Sequence, residues 1–145
     1  MALANLLLSA AVTMLIPTLP LQLSDAGMTT IETGLSMGVF CLGLFLPGPF
    51  CSYLVQRFRR NEVFIACTLL LAASMIVPTQ IDMSLTLPVV AWRLMQGALF
   101  GLAQMVLSST LIIDTCESHQ RTEGNHSATW FGRLALSLGP VAGLL

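Results

Sequence analysis

One charged residue of the chain, Arg93, lies well inside a long apolar segment that begins near Leu87. A guanidinium is permanently charged, so the chemistry open to it is charge pairing with an anionic group. Placing arginine at the centre of a bilayer costs roughly 2.5–3.5 kcal/mol, and less near the ends of a span. One interpretation is that Arg93 extends to the membrane surface beside Trp92. The other is that it faces protein or a water-filled cavity.

The spacing around Arg93 favours the second interpretation. Polar and small residues recur at three- and four-residue steps, which places them on one face of a helix. This face carries Arg93, Gln96, Gly97, Gly101, Gln104 and Ser108. A polar stripe along most of a membrane helix suits contact with protein or a cavity better than contact with lipid. The first apolar segment has a fainter stripe of polar residues and proline, at Asn5, Ser9, Thr13 and Pro17. Hydrogen bonds to other helices and the lining of a cavity explain this stripe equally well.

Glycine pairs four residues apart occur in three of the apolar segments. They are Gly34 and Gly38, Gly97 and Gly101, and Gly139 and Gly143, with Pro140 directly after Gly139. Helices in lipid approach closely where small residues permit it, so these pairs predict faces for helix packing. The functional alternative is that the same contacts slide or rock during a conformational cycle.

The composition indicates an integral membrane protein. Of the 145 residues, 55% are hydrophobic and 9% are charged, whereas a soluble domain carries about 25% charged residues. The net charge of −1 offers no electrostatic case for nucleic-acid binding. The four cysteines form no C-x-x-C pair, and neither H-E-x-x-H nor a Walker motif occurs. We therefore predict no metal, no other cofactor and no enzyme activity.

Five apolar stretches resemble membrane-spanning helices, each of which needs about 20 residues. We predict an all-α membrane protein of one domain with spans at 3–24, 31–55, 62–79, 87–113 and 127–145. The fifth span is incomplete, so the chain is expected to be a fragment with about 4.5 helices. Thr29 or Thr30 is predicted to cap the second span, with Glu32 in its first turn.

The arginines are distributed unequally over the turns between these stretches. The turn 56–61 contains Arg57, Arg59 and Arg60, and the fourth turn contains Arg121. The other two turns contain no basic residue. Because short loops rich in basic residues stay cytoplasmic, we predict that the N-terminus and the 56–61 turn are cytoplasmic.

The helices resemble those of the N-terminal half of a major facilitator superfamily (MFS) transporter. The segment from Pro17 to Pro20 is similar to the end of the family's first helix. Arg93-Leu-Met-Gln-Gly97 is similar to the fourth-helix motif R-x-x-Q-G. Gly139-Pro-Val-Ala-Gly143 is similar to the G-P-x-x-G of the fifth helix. This resemblance implies an MFS-type bundle for most of the chain.

The basic turn resembles the loop between helices two and three of that family, written G-x-L-x-D-R-x-G-R-R/K. The residues that match it are Leu54, Arg57 and Arg60. The aspartate of the motif is Gln56 here. In the family that aspartate caps a helix of the other half and helps to hold the outward-facing state. The turn residues Arg57, Arg59 and Arg60 could bind anionic lipid headgroups. Alternatively, Arg57, Arg60 and Asp114 form a candidate cytoplasmic gate, with Arg60 and Asp114 as its ion pair.

The resemblance implies transport of a small solute across a membrane by alternating access, in which two helix bundles rock about a central site. Arg93 would carry the charge for proton coupling or for substrate binding, and Gln96 and Gln104 would line the cavity. The implied partners are a small-molecule substrate, protons, the bilayer of a bacterial inner membrane, and a missing C-terminal half or partner helices. The alternative is a small non-transport scaffold or assembly protein that binds other helices through its glycine faces, or a non-functional remnant.

Overall fold

The computed structural model describes residues 2–77, 80, 86–111 and 117–144, and within these ranges the chain is helical, with no strand. The helices are α1 Ala2–Thr13, α2 Leu15–Asp25, α3 Thr30–Phe45, α4 Gly48–Arg57, α5 Arg60–Ser74, α6 Thr86–Met105 and α7 Arg121–Leu144. A π-helical segment, Val106–Leu111, continues α6 directly. The predicted all-α class is confirmed.

Two described stretches are long and apolar enough to cross a membrane, Leu3–Asp25 and Thr86–Ser108, and each has 23 residues. The pair α3 and α4 adds a third span if the two helices are counted together. The predicted span at 62–79 overlaps α5, which has 15 residues. At 1.5 Å per residue this helix is about 22 Å long, shorter than a hydrocarbon core of about 30 Å. The five-span arrangement stays a prediction.

A bend of 46° divides the predicted span 31–55 into α3 and α4. Its cause is local, because Pro47 and Pro49 have no backbone N–H and cannot continue the helical ladder. The N–H of Leu46 bonds to the carbonyl of Gly43 at 3.3 Å, three residues back rather than four. The span therefore consists of two helices joined at Pro47.

Thr29 begins α3 with a complete capping box. The Glu32 carboxylate accepts a hydrogen bond from the Thr29 backbone N–H at 2.9 Å, and the Thr29 hydroxyl accepts one from the Glu32 N–H at 3.4 Å. Of the two predicted caps, Thr29 is the one used. The turn before it contains Gly27 at a φ of 88°, a backbone angle that favours glycine.

The chain divides into two compact units, which are described separately. One comprises Met1–Leu19 and Gln104–Leu145, and the other comprises Pro20–Ala103. In the first unit α1 packs against α7, and the buried apolar residues are Leu8, Val12, Leu19, Val106, Leu107 and Ala135. In the second unit the buried apolar residues include Leu23, Met28, Val63, Cys67, Leu71, Val89, Trp92 and Ala103.

Candidate functional site

The side chain of Arg93 is buried in the Pro20–Ala103 unit, with 2% of its surface exposed. It projects from α6 toward α3. Its guanidinium carbon lies 4.4 Å from the centre of the Phe40 ring and 5.7 Å from that of Trp92. A cation over an aromatic face is stabilised by the negative charge density of the ring. This position favours the interpretation that Arg93 faces protein or a cavity over extension to the membrane surface.

The hydrogen-bond acceptors of the Arg93 guanidinium are neutral. Nη1 donates to Oε1 of Gln96, one helical turn further along α6. Nη2 donates to the thioether sulfur of Met37 on α3 at 3.4 Å. Sulfur is a weak acceptor, so the amide oxygen of Gln96 is the principal partner. The two side chains lie on one face of α6, as their spacing predicts, and the hydrogen bond between them adds to that prediction.

The positive charge of Arg93 is incompletely compensated. Its Nε is buried and has no hydrogen-bond partner, and no ion pair to Arg93 forms within the described ranges of the chain. Burying one ion costs several kcal/mol, whereas a hydrogen bond to a charged group returns about 1.5–3 kcal/mol and a buried cation–π contact about 2 kcal/mol. The site is therefore suited to an additional anionic partner.

Two side chains of α6 donate hydrogen bonds to residues at the end of α5, which holds this part of α6 in place. The indole Nε1 of Trp92 donates to the backbone carbonyl of Ser74 at 2.8 Å. Nε2 of Gln96 donates to the sulfur of Met75 at 3.4 Å, and Gln96 has no exposed surface. Because the amide nitrogen of Gln96 bonds to Met75, its amide oxygen stays directed at Arg93. The orientation of the guanidinium is therefore determined by three helices: α3, α5 and α6.

Close contact between α3 and α6 brings Phe40 and Met37 to Arg93. A methyl group on Gly97 would overlap the backbone carbonyl oxygen of Phe40, and one on Gly101 would lie 2.7 Å from the carbonyl oxygen of Leu44. Only glycine permits this approach of the two backbones. The pair Gly97 and Gly101 thus has the close contact expected of a packing face.

The first unit uses the polar stripe of α1 for hydrogen bonding between helices. Ser9 accepts a hydrogen bond from Nε2 of Gln104 at 3.3 Å and donates to Oδ1 of Asn5 at 3.3 Å. The Thr13 hydroxyl lies 3.1 Å from the carbonyl oxygen of Ala135 on α7. Of the two explanations for this stripe, helix–helix hydrogen bonding matches these contacts. Gln104 is half-buried, and its role in lining a cavity stays a prediction.

The remaining glycine pairs differ from one another. A methyl group on Gly139 would overlap the Thr13 hydroxyl, and one on Gly143 would lie 2.5 Å from the Met14 carbonyl oxygen. Pro140 lies inside α7 between them. Methyl groups on Gly34 or Gly38 would meet no atom of another described segment within 4 Å. A packing role for Gly34 and Gly38 therefore stays a prediction.

The segment Gly34-Leu-Ser-Met-Gly38 also has the spacing G-x-S-x-G, which marks a nucleophile in α/β hydrolases. That motif requires a sharp turn between a strand and a helix. Ser36 instead lies within α3, fully buried, and donates to the Thr33 carbonyl at 2.7 Å. The pattern is thus part of a membrane helix rather than a nucleophile elbow.

The proposed gate residues are only partly described. Nη1 of the exposed Arg57 donates to the Tyr53 hydroxyl at 2.9 Å, one turn back on α4. Arg60 begins α5 and is half-buried. Asp114 lies outside the described residues. The gate pairing of Arg60 with Asp114 stays a prediction.

Several residues that build the arginine site were not identified from sequence. They are Met37, Phe40, Gly43, Ser74 and Met75. Gly43 was overlooked because it belongs to no pair spaced by four, yet a methyl group on it would lie 2.6 Å from the Leu94 carbonyl oxygen. The three-residue steps from Met37 to Phe40 to Gly43 were the available signal for a second face on α3.

Comparison with known proteins agrees with this architecture. The family model of the Major Facilitator Superfamily matches residues 1–145. The chain is 33% identical over 147 residues to the uncharacterized MFS-type transporter YddS of Bacillus subtilis (strain 168), and the match covers 100% of this chain but only 31% of that protein. No solved structure matches the chain. Because the family model and this relative both match over its whole length, the chain belongs to the Major Facilitator Superfamily.

Proposed function

We propose that the protein containing this chain moves a small solute across the membrane by alternating access, with Arg93 as a charge-bearing group of its central site. The observation that carries the proposal is the buried guanidinium, which has a neutral principal acceptor and an unpartnered Nε. Family membership favours transport over the scaffold alternative. The chain spans 31% of the length of its relative, so the activity is proposed for the whole protein and not for this chain alone.

The chemistry of Arg93 suits a solute that carries a carboxylate or phosphate. Such a group can accept hydrogen bonds from two guanidinium nitrogens at once. The amide of Gln96 would yield part of its contact with Nη1 when the anion binds. The ring of Phe40 covers the guanidinium and limits its contact with water, so the charge interaction is stronger than in bulk solvent.

Coupling to protons is the second part of the proposal. A positive charge lowers the proton affinity of a nearby carboxyl group. A carboxyl group that approaches Arg93 in one state of the cycle and leaves it in the other would release a proton and then rebind one. The alternation of access would thereby be linked to a proton gradient. The carboxyl group would come from one of the helices α1 to α7 or from another helix of the protein.

The cytoplasmic gate belongs to the same proposal. Arg57 and Arg60 would close the 56–61 turn against Asp114 in one state only. A pair that forms in a single state biases a conformational equilibrium by the whole of its interaction energy. The N-terminus and this turn would face the cytoplasm, because the basic residues are concentrated there.

The experiment compares the wild-type full-length protein with three variants in proteoliposomes. Uptake of a panel of carboxylate- and phosphate-bearing solutes is measured with and without an imposed pH gradient. Arg93→Ala should abolish uptake, or uncouple it from the gradient, whereas Arg93→Lys should keep part of the anion binding. Arg133→Ala is the matched control, since Arg133 is an exposed arginine on α7. Wild-type uptake rates and pH dependence in Arg93→Ala would refute the role of Arg93.

A further inference from the structure

An apolar groove of about 370 Å³ opens between α4, α5 and α6 in the Pro20–Ala103 unit. Leu54 and Phe58 form one wall at the end of α4. Leu99 and Leu102 of α6 form another. The α5 residues that line it follow three- and four-residue steps and are Glu62, Val63, Ala66, Cys67 and Leu70.

The groove has a buried floor and an exposed rim. Val63 and Cys67 are 6% and 5% exposed, whereas Phe58 and Leu70 are 51% and 56% exposed. Where such an opening of a membrane protein faces the bilayer, hydrocarbon fills it. An acyl chain gains little by leaving other lipid tails for an apolar protein surface, because both environments are equally apolar. Any preference among lipids must therefore come from the polar end of the groove.

Positive charge is concentrated at that end. Arg59 is the N-cap residue of α5, so it lies at the start of the helix whose first turn contributes Glu62 and Val63 to the groove. Arg57 is adjacent to Phe58, and both arginines are exposed. The charged residue that lines the groove itself is Glu62. With Arg60, the first residue of α5, three arginines stand against one carboxylate, so this end of the groove has a formal charge of +2.

We infer that this groove binds an anionic phospholipid, with one acyl chain along α5 and the headgroup phosphate between Arg57 and Arg59. Guanidinium groups match the geometry of phosphate oxygens. Nη1 of Arg57 is held by the Tyr53 hydroxyl at 2.9 Å, which directs the side chain while its other donors remain for phosphate. The Glu62 carboxylate can accept hydrogen bonds from headgroup hydroxyls, as in phosphatidylglycerol. The site is distinct from the Arg93 site and does not depend on the solute transported.

The test uses the full-length protein in phosphatidylcholine nanodiscs that contain a minor fraction of phosphatidylglycerol with a photoactivatable group on one acyl chain. After illumination, lipid-modified peptides are mapped by mass spectrometry. Labelling should be concentrated in the peptide that contains 58–70. Each arginine near an anionic headgroup contributes about fivefold in affinity, so Arg57→Gln with Arg59→Gln should reduce this labelling by about 25-fold. Arg133→Gln is the matched control and should leave it unchanged.

A second pair of variants tests the groove independently of charge. Ala66→Trp fills the groove from an exposed position and should abolish the labelling. Ala72 is also exposed but lies on the opposite face of α5. Ala72→Trp should therefore leave the labelling unchanged. The inference is overturned if Ala66→Trp labels like wild type, if a phosphatidylethanolamine probe labels as strongly as phosphatidylglycerol, or if the 58–70 peptide is sealed from lipid by another segment of the protein and is not labelled.

Discussion

The contact of α3 with α6 and the contact of α1 with α7 both rest on two glycines spaced by four residues. In the first, Gly97 and Gly101 lie against backbone carbonyls of α3. In the second, Gly139 and Gly143 lie against Thr13 and Met14 of α1. The two contacts therefore achieve a close approach by the same means, although they belong to different compact units.

The two contacts differ in the state of their polar groups. At α1 and α7, the Thr13 hydroxyl lies within hydrogen-bond distance of the Ala135 carbonyl, and Ser9 bonds to Gln104. At α3 and α6, Arg93 is buried with an unpartnered Nε and a neutral principal acceptor. Small residues thus determine how near two helices lie, while the balance of donors and acceptors determines whether the contact is only structural. The predictions that follow test this difference.

The largest effect is expected for Gly97→Ala. The added methyl group would overlap the Phe40 carbonyl oxygen, and a backbone atom cannot turn aside as a side chain can. Overpacking of this kind costs about 1–3 kcal/mol and sometimes more, so we expect about 3 kcal/mol. The measurement is the thermal unfolding midpoint of the purified full-length protein. An unchanged midpoint would mean that α3 and α6 are not held this closely.

Gln96→Leu should cost about 2 kcal/mol, because it removes the neutral acceptor of a buried charge. The matched control is Gln104→Leu, which removes a hydrogen bond between two neutral groups and should cost about 1 kcal/mol. Chemical denaturation of both variants in the same detergent gives the difference. Equal losses would indicate that the charge of Arg93 is compensated elsewhere.

Gly139→Ala should destabilise the protein by about 1–2 kcal/mol, because its methyl group would overlap the Thr13 hydroxyl. Here the obstacle is a side chain, so the double variant with Thr13→Ala should recover part of the loss. At Gly143 the obstacle is the Met14 backbone oxygen, at 2.5 Å. Met14→Ala should accordingly fail to rescue Gly143→Ala. Thermal midpoints of the single and double variants provide the coupling energies, and rescue at both positions or at neither would contradict the assignment.

The smallest effect is expected for Gly38→Ala. Apart from the backbone and neighbours of its own helix, no atom of the described residues lies within 4 Å of the added methyl group, and alanine is favoured over glycine in a helix by up to about 1 kcal/mol. The same thermal assay should show an unchanged or slightly raised midpoint. A clear loss would indicate that this glycine packs against a helix supplied by the remainder of the protein.

Local features of the fold were predictable from sequence because they depend on neighbouring residues. Thr29 and Glu32 form a capping box through groups three residues apart. The bend between α3 and α4 was not anticipated, although Pro47 and Pro49 cause it by removing N–H groups. The spans were predicted from hydrophobicity, which reports average burial and not the continuity of a helix.

The candidate site was predictable only as far as one helix extends. Arg93 and Gln96 are one turn apart on α6, so helical periodicity alone places them on one face. The covering groups, Met37 and Phe40, lie more than 50 residues earlier, and no periodicity within α6 indicates them. Gly43 was missed for the same reason, because its role depends on the backbone it meets and not on its own neighbours.

The sequence by itself determined that this chain is a helical membrane protein of its family, since composition, apolar length and motif order are properties of the linear chain. It also determined that Arg93 and Gln96 share a helical face. Only the tertiary structure decided that Arg93 is buried under Phe40 with no counter-ion among the residues that the structure describes, and that the stripe on α1 forms hydrogen bonds with neighbouring groups. The physical reason is that charge compensation is a property of the space around a group, which helices distant in sequence fill.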